Sequence, residues 1–184
     1  MKPRKLRLNF IKTLNLHRTL FLIGIILFLT CGEKLHGQGS DANRGLKNIL
    51  FDSTRSTIIT TKQAVGFAFN DTYSSTKLSR TECLEIQSLL IQAIQKYNSR
   101  WRISGDIKDF GIDTIKYKYK IQVVPALNPK GEKEVWINAF CDSFGEINWK
   151  RGLVFVTDGG NCFFNLKINL SELKAYNIVV NGYA

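Results

Sequence analysis

SRTECLEIQSLLIQAIQKYNS, residues 79–99, is the stretch whose reading decides the fold. It opens on Ser79-Arg80-Thr81-Glu82, a capping box in which the serine hydroxyl takes the third backbone N–H and Glu82 returns to the cap's own N–H. Cys83, Ile86, Leu90, Ala93 or Ile94, and Tyr97 then recur at spacings of three and four, the buried stripe of a helix of about five turns. Leu89 and Ile91 widen the apolar face, as packing on a sheet requires. Asn98 and Ser99 are expected to end the helix.

On both sides of this helix the apolar period changes to two. Before it, residues 57–69 are rich in β-branched and aromatic side chains, and Val65, Phe67 and Phe69 alternate with Ala64, Gly66 and Ala68, which predicts a strand. After it, beyond a polar connection over 104–114, Ile115, Tyr117, Tyr119, Ile121 and Val123 alternate with Lys116, Lys118, Lys120 and Gln122. That pattern predicts a half-buried strand with a basic outer face. Asn128-Pro129-Lys130-Gly131 is turn chemistry. Residues 135–141 are apolar on both faces and predict a central strand. Residues 153–157 and 162–170 predict a hairpin around Asp158-Gly159-Gly160, and residues 176–180 close the sheet. The fold class is therefore α+β: one long helix packed on a four- to five-stranded antiparallel sheet, in a cystatin-like strand–helix–strands order.

Working outward to the N-terminus, Lys2, Arg4, Lys5, Arg7, Lys12 and Arg18 precede an apolar run over 20–29 broken by Gly24, and Thr30-Cys31-Gly32 follows. A basic segment before a short apolar run is the pattern of an export signal, and the run falls short of the ~18–20 residues that a membrane span needs. The chain thus divides into an export signal (1–31, or to 39), a flexible polar tether (32–56) and one α+β domain (57–184). Two processing routes stay open. Cys31 resembles the lipidated cysteine of a bacterial lipoprotein, although Phe28 and Thr30 stand where Leu and a small residue are usual. Alternatively Gly37-Gln38-Gly39 offers small residues for ordinary cleavage. Either route leads to the periplasm or outer envelope, with membrane attachment through the signal or through a lipid on Cys31.

The chain carries a formal charge of +11, but residues 1–39 hold seven basic side chains against one acidic. The rest holds 19 Lys+Arg against 14 Asp+Glu, a net +5, which is no nucleic-acid signature. Both histidines, His17 and His36, lie before Gly39, so cleavage there leaves no imidazole for triads, zinc sites or proton relays. No cofactor is implied, and the composition leans away from an enzyme. Asp106, Asp109 and Asp113 fit no calcium-loop spacing and read as a solvated loop. Asp158-Gly159-Gly160-Asn161 opens a strand rather than a helix, so it reads as a turn rather than a phosphate loop. In the simple meander drawn above, Cys141 and Cys162 fall at opposite ends of the sheet and no bridge joins them; Cys83 sits on the helix's inner stripe. Lys116, Lys118, Lys120 and Lys167, together with Phe163, form the candidate binding face, weighed against a merely solubilising one.

Residues 135–141 (VWINAFC), 158–167 (DGGNCFFNLK) and 180–184 (VNGYA) resemble a family of uncharacterised small exported bacterial proteins. Members more often carry Cys where Ala139 stands and Glu where Tyr183 stands. The resemblance implies export and no activity. Separately, Gln122-Val123-Val124-Pro125-Ala126 resembles the Gln-x-Val-x-Gly hairpin of cystatin inhibitors, with Ala126 in place of the glycine. The leading expectation is a non-enzymatic module that binds an unidentified protein or envelope component. The alternatives are an inhibitor of a secreted hydrolase and a carboxylate-based glycan hydrolase.

Overall fold

The computed structural model describes residues 44–141 and 148–182. Its elements are β1 (Ser56–Ile58), α1 (Lys62–Ala68), β2 (Ser74–Ser75), α2 (Arg80–Ser104), β3 (Lys120–Leu127), β4 (Lys133–Phe140), β5 (Phe163–Asn169) and β6 (Lys174–Val180). A single helical turn, Ile107–Phe110, follows α2. The fold is α+β with a mixed sheet in the order β1-β3-β4-β5-β6, β2 also pairing with β3. The pairs from β3 to β6 are antiparallel, whereas β1 runs parallel to β3.

The capping box at the start of α2 is formed: Glu82 N donates to Ser79 Oγ at 3.2 Å, and Ser79 N donates to Glu82 Oε2 at 2.7 Å. Ile86, Leu90 and Ile94 lie on the core stripe and are buried. The helix does not end at Asn98. That side chain is buried and clasps the main chain of Ile112, donating from Nδ2 and accepting at Oδ1, both at 2.8 Å. Its polar atoms are thereby spent on a tertiary contact rather than on capping. The helix runs on to Gly105, which takes the left-handed conformation that glycine adopts without steric cost.

The sheet is covered on both faces, and this overturns the expected solvent face. Ile121, Val123, Val135, Ile137, Ala139, Phe164, Leu166 and Ile168 meet α2 on one side, joined by Leu46 and Ile49. On the other side Val124, Ala126 and Trp136 pack against Ile59, Ala64, Val65 and Ala68. Residues 44–51, within the expected tether, thus contribute to the core; residues 32–43 lie outside the described residues. The strand expected over 57–69 is instead the three-residue β1 followed by α1. Thr61 Oγ1 caps α1 by accepting from Ala64 N at 3.2 Å, and Ala64, Val65 and Ala68 form its buried stripe. The strand expected from Ile115 begins at Lys120. Asp113 Oδ1 instead holds a turn by accepting from Ile115 N and Lys116 N.

Residues 153–157 form no strand. Their place beside the sheet is fixed by two buried or half-buried amides on its second face. Gln122 Nε2 donates to the carbonyls of Trp149 (2.5 Å) and Gly152 (2.8 Å), and its Oε1 accepts from Val154 N and Asn138 Nδ2, both at 3.0 Å. Asn138 Nδ2 also donates to Val154 O at 2.7 Å. Without an intervening strand, β4 and β5 are direct neighbours, with Phe140 opposite Phe163. Cys141 and Cys162 follow and precede that pair, so the expectation of unbridged thiols is corrected: they form a disulfide with Cα atoms 5.1 Å apart. Cys83 is the free cysteine among the described residues, half-buried, its thiol pushed up by burial and by the neighbouring Glu82 charge.

Candidate functional site: a groove beside an open strand edge

β6 is the last strand of the sheet, and no strand pairs with its outer edge among the described residues. Between it and α2 lies a groove of about 340 Å³. Leu89, Ala93 and Tyr97 give it an apolar floor along one flank of α2, and Lys96 and Arg100 stand exposed above them. From the sheet side, every residue from Leu173 to Ile178 lines it. Successive residues of a strand face opposite sides, so a groove touched by all of them follows the strand's edge rather than one face. Asn177 adopts a φ of 50°, and the register shifts opposite it between Asn165 and Lys167. This bulge bends the strand locally. Lys174 is exposed at the near end. No carboxylate lines the groove, and none of its three cations makes an ion pair among the described residues.

A second groove of about 240 Å³ lies on the other sheet face, between β4, β5 and residues 153–157. Trp136, Asn138, Phe163 and Asn165 line it, and the exposed Phe155 packs edge-to-face on Phe67 with ring centroids 5.2 Å apart.

The residues expected to form one basic face are separated. Lys116 and Lys118 precede β3, and Lys116 Nζ lies 4.7 Å from the Tyr117 ring centre. Lys120 opens β3 with its Nζ 5.6 Å from the Trp149 ring. Lys120 and Phe163 share one register row through Phe140, while Lys167 sits four residues farther along β5, opposite Trp136 and 4.8 Å from the Phe69 ring. Between them stand Gln122 and Asn138 under the 149–154 segment. Cys31 lies outside the described residues. The groove on α2 and β6 was missed, although its α2 stripe, Leu89, Ala93, Lys96 and Arg100, is legible at spacings of three and four.

On the sheet face opposite α2, Glu134 joins three parts of the chain. It is buried and accepts from Tyr73 Oη (3.3 Å), Asn128 Nδ2 (2.9 Å) and Tyr176 Oη. Burial, and then the Glu134 carboxylate, push the Tyr176 hydroxyl well above its ordinary range and raise that of Tyr73 as well. At the helix start, burial works to raise the Glu82 carboxyl, but Lys133 at 2.5 Å and the Ser79 N–H outweigh it and leave it below its usual value. Among the described residues no three His, Cys, Asp or Glu side chains are placed to hold a metal.

No family model, no curated protein and no solved structure matches the chain.

Proposed function

We propose that this chain is an exported cell-envelope protein whose single folded domain works by binding a protein partner. The observation that carries the reading is the α2–β6 groove, which joins an apolar floor, three exposed cations and a strand edge that is unpaired among the described residues in one concave surface. Partner sites are built from such combinations of apolar anchor and polar rim. The basic and apolar pattern of residues 1–31 supports export, and the Cys141–Cys162 bridge is compatible with an oxidising compartment. Kinship with the small exported bacterial proteins, and a cystatin-like order, belong to the same proposal. The long α2 crossing β3 to β6 supports that order, and the parallel β1 and α1 are departures from it.

The alternatives have less to stand on. An inhibitor hairpin needs an accessible edge, yet Gln122, Val123, Val124, Pro125 and Ala126 are all buried within β3. Two-carboxylate glycan hydrolysis needs two acids facing one cleft, and neither groove is lined by any among the described residues.

The test is site-specific photo-crosslinking in cells producing the full chain. A photoreactive residue at Gln92, in the groove, should give an adduct of one size in the envelope fraction. The same residue at Lys62, on α1, should give none. Absence of an adduct at Gln92, or identical adducts from both sites, would overturn the reading.

A further inference from the structure

We propose that the α2–β6 groove receives an acidic peptide in extended conformation, which adds to the sheet along the outer edge of β6. The inference rests on the binding reading above and names the ligand's chemistry.

The two walls of the groove both suit a short strand. The α2 stripe from Leu89 to Arg100 covers eleven helical steps, about 16 Å at 1.5 Å per residue. Lys174 to Ile178, within β6, covers four strand steps, about 13 Å at ~3.3 Å per residue, with the bulge at Asn177. A peptide of about five residues matches both walls. The unpaired N–H and C=O groups of an edge strand are satisfied by a peptide backbone, which offers the same groups at the same repeat. Alternate side chains of an added strand point to one side, so apolar ones would meet Leu89, Ala93 and Tyr97.

Charge selects among peptides. Lys96, Arg100 and Lys174 stand around the groove with no carboxylate lining it. A second copy of this chain pairing β6 to β6 would set the same three cations against each other. The chain's own residues 1–39, net +6, are also repelled. Acidic side chains on the incoming strand meet all three cations.

The probe is a capped seven-residue peptide alternating Glu and Val, titrated by calorimetry into the full chain at low and physiological salt. It should bind, more weakly as salt rises. The triple variant Lys96→Glu, Arg100→Glu, Lys174→Glu alters exposed side chains and should keep the native circular dichroism. It should bind the probe at least about tenfold less tightly, because each reversal turns an attraction into a repulsion. The peptide with alternate backbone amides N-methylated, and the peptide with Lys in place of Glu, should not bind. No binding of the acidic probe, equal binding of the N-methylated form, or binding that survives the triple reversal would each overturn the proposal. So would a concentration-dependent dimer that the triple variant abolishes, since the occupant would then be a second copy. If the Gln92 crosslink persists while the probe fails, this inference falls and the broader reading stands; loss of the crosslink removes both.

Discussion

Gln122 replaces a missing strand with one side chain. Its amide offers two donors and an acceptor to main-chain groups of residues 149–154, and with Asn138 it holds that irregular segment on the sheet. In the sequence Gln122 alternates with apolar neighbours and so reads as solvent-facing. Period alone cannot distinguish a polar residue facing water from one facing a buried backbone. Leaving a buried polar group unpaired costs about 1–3 kcal/mol, and Gln122→Ala orphans several at once. Chemical denaturation of that variant should show a loss of about 2 kcal/mol or more. A loss under about 0.5 kcal/mol, the usual size for an exposed polar site, would mean that the segment holds its place without it. Gly45 is constrained differently: a Cβ there would overlap the Thr114 carbonyl oxygen, so the chain approaches itself too closely for any other residue. A single glycine in a polar stretch carries no sign of this in the sequence.

At the scale of elements, α2 was legible because three independent signals coincide: capping box, apolar stripe and length. Its last turn was not, because Asn98 is a stop signal by type and a tertiary clasp by position. The misreading of α1 as a strand has a simple physical cause. Small residues at Ala64, Gly66 and Ala68 between larger ones mimic a period of two, whereas the buried set Ala64, Val65 and Ala68 follows the helical one. The alternation read into β3 was correct in facing, since Ile121 and Val123 both point to α2. Sequence could not show that the opposite face is buried too, because its cover comes from α1 and an irregular segment. Leu90 is fully buried against this layer, so Leu90→Ala should cost about 2–5 kcal/mol in thermal or chemical unfolding. Lys118→Ala, on an exposed position before β3, should stay within about 0.5 kcal/mol. Equal damage from the two would mean that Lys118 does not hold the exposed position described. The candidate site was the least legible part. Its α2 half lies on one helix face, but its partner is a strand edge, which exists as an edge only once the strand order is known.

For the molecule as a whole, Glu134 ties the segment before β2, the β3–β4 turn and β6 together through Tyr73, Asn128 and Tyr176. The two tyrosines are held neutral in the fold more strongly than in the unfolded chain, where they ionise near the ordinary value of 10. Stability from this source is fully present below that value and is lost as pH rises beyond it toward the folded-state values. The unfolding midpoint should therefore fall above pH ~10, and less steeply in Tyr176→Phe than in the parent; parallel curves would remove Tyr176 as the cause. The second brace is covalent. Closing a loop of 21 residues between Cys141 and Cys162 is worth about 3 kcal/mol on the chain-entropy account. It also fixes β4 and β5 as neighbours, which the sequence concealed because residues 153–157 imitate a strand between them.

The proposal of export, together with the bridge, is tested most directly by the mass of the protein recovered from its native cells. If the proposal holds, non-reducing mass spectrometry with a peptide map should find residues 1–31, or 1–39, removed. It should also find Cys141 linked to Cys162, and Cys83 open to alkylation after denaturation. An intact chain still beginning at Met1, with Cys141 and Cys162 both alkylated without reduction, would contradict the account.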